Sequence, residues 1–334
     1  MASVCLAPLA GLMRRESKSF VDSLYAVLTA AGLFNGTKYW LSGTSGLAFK
    51  FTVHERLLPM SVSAYGQFGT EHQAALDNLG IWTASDGGRT RHPTFHYYQQ
   101  DAVRSVKESL DQGIGVIYWI PEFGVIYGYD DDDGIFLVQS GKSPDSDIVL
   151  YDNFGLNFTP FWSCHWIGGK VEVEPADMVL ESLRVAVEEW ETPHKTLPDR
   201  AIASGRLGYQ YLMRALESGD YDEGGADYIL KSYMYAKDEI SRYIQDAVNL
   251  WPPLAEAARL CLELAQLVPV IQQAMNDGQP VNGKARWRNH DIVSALQKAL
   301  ALEELAIREF KRFTASFPDP KRTIVPRWGI HSPR

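Results

Sequence analysis

The sequence predicts an α+β fold that gives way to an all-helical region, and three observations carry that reading. Amphipathic helical patterns come early. A cluster of short apolar runs between residues 115 and 151 then reads as antiparallel strands. After Glu174 the composition turns to Ala, Leu, Glu and Gln at helical spacing. The chain has 334 residues, with 46% hydrophobic and 22% charged types, a balance that excludes disordered, collagen-like and coiled-coil classes. Its length fits two domains, each large enough to bury a core without covalent staples.

Element by element, a helix is expected from Leu6 to Arg15. A second runs from Ser19 to Ala31, where Phe20, Leu24, Val27 and Leu28 share a face and Gly32 ends it. Ser42–Gly46 (SGTSG) reads as a turn feeding an alternating strand, Leu47–Val53. The phosphate-loop lysine and spacing are missing from that turn. Helices follow at Thr70–Leu79 and Gln99–Gln112, each closed by glycine. Strands are expected at Gly115–Ile120, Gly124–Tyr129, Gly134–Val138 and Ile148–Tyr151; such close spacing allows hairpins but no crossovers. Asp130–Asp133 is the solvated tip of one hairpin, since it lacks the spacing of a calcium loop. Later helices are expected at Asp177–Trp190, Asp199–Glu217, Asp222–Trp251, Pro253–Asn276 and His290–Thr314, packed as a bundle. This divides the chain into an α+β domain (1–174), a helical bundle (175–317) and an extended tail (318–334).

Charge narrows the partners. Residues 1–174 hold 12 basic and 19 acidic residues, a net of -7; the whole chain is -9. Nucleic acid, whose phosphates need a basic surface, is not an expected partner. No apolar run is long enough for a membrane span. Val4–Met13 is apolar, but Arg14 and Arg15 follow it, the reverse of a signal peptide. Cys5, Cys164 and Cys261 are too few and too scattered for a disulfide framework, which points to a reduced, cytoplasmic setting. The acidic surface and apolar helices are compatible with a homodimer.

Cys5 is the leading candidate for chemistry. At the start of a helix the peptide dipoles favour thiolate over thiol and so supply a nucleophile. Cys164 and Cys261 read as core. A cysteine nucleophile needs a base and a group that orients it. Histidines stand at 54, 72, 92, 96, 165, 194, 290 and 331, none in a local signature with Cys5. His92 and His96 have metal-pair spacing that Pro93 interrupts, and no metal or other cofactor is expected. Tyr209, Tyr211, Tyr221, Tyr228, Tyr233, Tyr235 and Tyr243 crowd the helical half and read mainly as core or interface residues.

The order of these pieces resembles a family. A cysteine opens the first helix. A Gly-rich turn leads to an aromatic stretch (SGTSGLAFKF). A strand ends in Gly128–Tyr129–Asp130, and an aspartate follows the next strand in VLYDNFG. Residues 1–170 are similar to the bacterial papain-like cysteine proteins typified by the N-terminal domain of butirosin biosynthesis protein H, and more distantly to peptidases that trim double-glycine leader peptides. The resemblance implies a papain-like fold, Cys5 as nucleophile and Asp152 as the group that orients the base. The family's base histidine heads the strand ending in GYD. Here Glu122 or Phe123 stands in its place, and the family's upstream glutamine has no counterpart among the four residues before Cys5. A positioned base is worth about 10²–10⁴ in rate, so the substitution bears directly on activity.

Three readings follow. One is cysteine-dependent acyl transfer or amide hydrolysis with Cys5, Glu122 and Asp152, acting on a small molecule, a peptide or an acyl carrier. Another is a binding or scaffolding protein that keeps the fold without the chemistry. A third uses Glu122 and Asp152 as paired carboxylates. The catalytic readings require Cys5, Glu122 and Asp152 to share one crevice.

Overall fold

The computed structural model describes residues 3–59, 68–120, 122–194, 200–277, 280–281, 284–285 and 287–318. The expected tail beyond Pro318, His331 and the helix start at Asp199 lie outside them. In chain order the elements are β1 (Ser3–Cys5), α1 (Ala7–Leu12), α2 (Ser19–Ala30), α3 (Lys38–Thr44), β2 (Thr52–His54), α4 (Phe68–Asn78), β3 (Ile81–Arg89), α5 (Phe95–Asp111), β4 (Val116–Trp119), β5 (Phe123–Asp130), β6 (Ile135–Gln139), β7 (Asp147–Leu150), β8 (Phe161–Lys170), α6 (Pro175–Glu191), β9 (Ile202–Ser204), α7 (Gly205–Ser218), α8 (Glu223–Ala247), α9 (Ala255–Ala265), α10 (Val268–Asn276), β10 (Pro280–Val281), β11 (Lys284–Ala285) and α11 (Asn289–Ala315). The protein is α+β, with an antiparallel sheet and a helical C-terminal region.

The chain forms two compact units. One comprises residues 1–41 and 68–172; the other comprises 42–67 and 173–334. The second crossing lies where the composition changes. The first corrects the expected division, because residues 42–67 belong with the helices.

The first unit is built on a seven-stranded antiparallel sheet of order β3-β8-β4-β5-β6-β7, with β1 added to β5. Val116, Tyr118 and Ile126 turn to one face, where they pack with Ala102, Val106 and Leu110 of α5 and with Phe136, Phe154 and Cys164. Residues of the opposite face meet α2, whose Phe20 touches Phe123. Strands β4 and β5 are therefore covered on both sides and read as continuous apolar runs rather than alternating ones. Each fully buried Leu or Phe on these faces contributes roughly 1.5–3 kcal/mol.

Helix α2 buries the stripe its sequence predicts: Phe20, Leu24, Val27 and Leu28. Its first turn is locked by Asp22, whose carboxylate accepts the backbone N–H groups of Glu16 and Ser17 and pairs with Lys38 at 2.9 Å. By contrast, α1 spans six residues rather than the expected ten, and residues 3–5 form a strand.

The second unit packs α7, α8, α10 and α11 around Leu212, Ile229, Leu230, Ile271, Ile292 and Leu296. The helix expected over Pro253–Asn276 is two helices, with Pro269 in the first turn of the second. Residues 43–54 pack within this unit. Gly43 is needed because a Cβ there would stand 2.1 Å from the Tyr243 ring. Lys50 forms a buried ion pair with Glu189 at 2.9 Å, and Thr52–His54 pairs antiparallel with Ile202–Ser204. The SGTSG segment thus serves close packing, and the long strand expected at Leu47–Val53 is a 3₁₀ turn followed by the short β2. Among the described residues, no helix is long and apolar enough to cross a membrane.

Candidate functional site

Cys5 closes β1 opposite Gly128 of β5, and its side chain is exposed. The next residue, Leu6, continues the pairing by donating its N–H to the Tyr127 carbonyl at 2.7 Å, and α1 begins at Ala7. Cys5 therefore sits on a sheet strand and outside the first helical turn.

Glu122 lies in the tight turn joining β4 to β5, where Trp119 pairs with Phe123. Its φ is 97°, a region that side-chain-bearing residues rarely occupy, and its carbonyl accepts the Ile120 N–H at 3.0 Å. Six residues of extended β5 separate it from Gly128, about 20 Å at about 3.3 Å per residue. Asp152 is exposed in the 3₁₀ turn after β7, and its carbonyl accepts from Gln99 Nε2. Strand β6 stands between β5 and β7. The expected common crevice of Cys5, Glu122 and Asp152 is corrected by this register: an extended strand holds the first two apart, and a strand of the sheet intervenes before the third.

What the structure gathers beside Glu122 is a different set. On the face opposite α5, the helix packed across β4 and β5 is α2, which begins at Ser19. Next along it, Phe20 meets the Phe123 ring edge to face at 5.1 Å. His72 stacks on Phe20 with centroids 3.5 Å apart, and His165 lies 5.2 Å from Phe20 and 5.3 Å from His72. His165 is fully buried, and burial pushes its imidazole down to about 3, so the ring is neutral at pH 7. Its Nε2 lies 3.3 Å from Ser163 Oγ, and its Nδ1 has no hydrogen-bond partner.

Arg15 joins this cluster from the segment before α2. Its Nη2 donates to the carbonyls of Phe123 (2.8 Å) and Ser140 (2.7 Å), tying down the ends of β5 and β6. Its Nε and Nη1 are buried and have no hydrogen-bond partner, and the same is true of Ser17 Oγ.

Sequence reasoning missed this gathering. The adjacency of Cys164 and His165 was visible, but strand alternation sends them to opposite faces. Cys164 joins the α5-side core, where burial pushes its thiol up, while His165 turns to Phe20. The usable signal was that alternation together with the basic stretch Arg14–Lys18 directly before an amphipathic helix.

The remaining candidates have structural accounts. His92 Nδ1 pairs with Thr94 Oγ1 at 2.7 Å and His96 Nδ1 with the Pro93 carbonyl at 3.1 Å, both at the exposed start of α5. No group of three potential metal ligands occurs among the described residues. The acidic tip is held by Lys107, which pairs with Asp131 at 2.7 Å and keeps that carboxyl below the usual range. Tyr151 also donates to Asp131 at 2.9 Å. His54, in β2, accepts the Arg56 N–H on Nδ1 at 3.0 Å.

In the second unit Tyr209, Tyr233 and Tyr243 are core residues, whereas Tyr235 is exposed. Glu303 accepts from Lys237 and Tyr209, and the Tyr209 and Tyr233 hydroxyls pair at 2.9 Å. Lys237, Glu303 and Cys261 line a cavity of about 20 Å³, room for one water. Burial pushes the Cys261 thiol up to about 12, so it is no nucleophile at neutral pH.

Comparison of the chain with protein-family models and with curated proteins finds no match in either.

Proposed function

We propose that this protein binds a small molecule on a papain-like scaffold and has no cysteine-centred catalysis. One observation carries the reading. The helix that packs across the sheet, where a papain-like centre seats its nucleophile, begins at Ser19. The hairpin beside it presents Glu122 where the base would stand. Cys5 lies outside this arrangement, and Cys164 and Cys261 are buried with thiols pushed up. A hydroxyl and a carboxylate at the two positions supply neither a thiolate nor an imidazolium. What the place offers instead is a packed cluster of aromatic rings and imidazoles with a guanidinium at its edge.

The test is covalent labelling. Iodoacetamide near neutral pH should modify Cys5 no faster than it modifies free glutathione. A thioester or activated ester should leave no acyl group on Cys5, so the intact mass of wild type should gain no adduct that Cys5→Ser lacks. Labelling of Cys5 about a hundredfold faster than glutathione, or an acyl adduct that disappears in Glu122→Gln, would restore the catalytic reading.

A further inference from the structure

The ligand class can be read from the charged donor of this cluster whose hydrogen bonding is incomplete. We propose that Arg15, assisted by Ser17, anchors an oxyanion of the ligand, a carboxylate or a phosphate group; this rests on the binding reading above.

Buried polar groups in folded proteins are almost always paired, and a buried charged donor without an acceptor is the costliest exception. Arg15 is such a case. Two carbonyls of the sheet hold Nη2, at 2.8 and 2.7 Å, and so fix the plane of the guanidinium. The N–H groups on Nε and Nη1 are left buried and unmet, as is the Ser17 hydroxyl two residues on. All of these groups can donate, and a guanidinium fork with a neighbouring hydroxyl is the donor set that oxyanions take.

The local charge agrees with this. Arg14, Arg15 and Lys18 fall within five residues, in a unit that is acidic overall. The acidic groups closest in sequence are engaged elsewhere: Glu16 and Asp22 both pair with Lys38, at 2.8 and 2.9 Å. A cation would be opposed by the guanidinium. Ser17 also has a free role to play, because only its backbone N–H is committed, to Asp22.

The experiment is calorimetric titration of the full chain with inorganic phosphate and, separately, with acetate, at constant ionic strength made up with chloride. Wild type should bind at least one probe saturably, and the tighter of the two identifies the oxyanion. Arg15→Gln should weaken that probe about tenfold or more, the loss of one charge-assisted contact. Ser17→Ala keeps both carbonyl contacts of Arg15 and should weaken it severalfold. Equal binding by wild type and Arg15→Gln would overturn the proposal, as would the failure of both probes to saturate on wild type. If Arg15→Gln does not fold, Ser17→Ala decides, and an unchanged Kd there would also overturn it. None of these failures touches the labelling result on Cys5, so the anion assignment and the non-catalytic reading fall separately.

Discussion

Two buried polar clusters, one in each unit, use similar side chains and reach opposite states. In the helical unit, Lys237, Glu303, Tyr209 and Tyr233 close on one another, so that both carboxylate oxygens and both hydroxyls are engaged. In the sheet unit, Arg15, Ser17 and His165 retain buried donors or acceptors without partners. A closed network stiffens a core and asks nothing of the solvent. An open one is a standing cost that something outside the chain can offset. The contrast gives the first cluster a structural account and supports the binding role proposed for the second.

The largest expected effect tests the closed cluster. Lys237→Met removes the cation and leaves the Glu303 carboxylate buried beside two tyrosines. By the usual cost of an orphaned buried charge, urea denaturation should show a loss of about 3–5 kcal/mol. Replacing both partners, Lys237→Met with Glu303→Leu, should recover most of it, because an apolar pair needs no compensation. If the single variant is as stable as wild type, the network is not the closed structural unit described here, and the contrast between the clusters collapses.

The open cluster has a pH signature of its own. The His165 imidazole is held down to about 3 by burial, against about 6.5 in an unfolded chain. Protons therefore bind the unfolded state first. The stability tied to this group is complete above pH 6.5 and falls as the pH drops from there towards 3, by about 1.4 kcal/mol per unit. Between pH 6.5 and 5 the loss should reach about 2 kcal/mol. His165→Leu should flatten that limb of a stability-versus-pH curve; an unchanged slope would place the titrating group elsewhere.

How much of this was legible beforehand depends on the range of the interactions. Helix α2 and strands β4 to β7 were readable because local pattern alone specifies them: an apolar stripe ended by Gly32, and apolar runs divided by turn residues. Strands β3 and β8 were not. Gly87–Gly88 and Gly168–Gly169 interrupt their patterns, and each is a strand only because the other, some eighty residues away, pairs with it. The segment at 43–54 misled for the same reason. Its partners, Glu189, Ala203 and Tyr243, lie more than a hundred residues downstream, and no local signal announces them. Cys5 was placed on a helix because Leu6–Met13 is apolar, yet its neighbours in space are Tyr127 to Tyr129. Residue chemistry at the site was visible, since the carboxylate of Glu122 and the basic residues Arg14 and Arg15 stand in the sequence. Its location was not, because sheet register is a long-range property.

The smallest effect concerns the turn between β4 and β5. Glu122 holds φ at 97°, and such a residue persists only where its surroundings enforce it, at a cost of about 1–3 kcal/mol. The turn is over-determined: Trp119 pairs with Phe123, Ile120 donates to the Glu122 carbonyl, and Arg15 holds the Phe123 carbonyl. A comparison of Glu122→Gly with Glu122→Ala removes the carboxylate in both variants and isolates the backbone. Glycine reaches positive φ without steric cost, so the Gly variant should be the more stable by about 1 kcal/mol in urea denaturation. If alanine equals glycine, the turn is not strained and the cluster has no stored cost at its rim. If glycine is the more stable and the phosphate or acetate affinity is unchanged, the strain belongs to the hairpin alone. A fall in affinity in the glycine variant would mean that the rigid turn, by fixing the Phe123 carbonyl, is what keeps the Arg15 fork aimed.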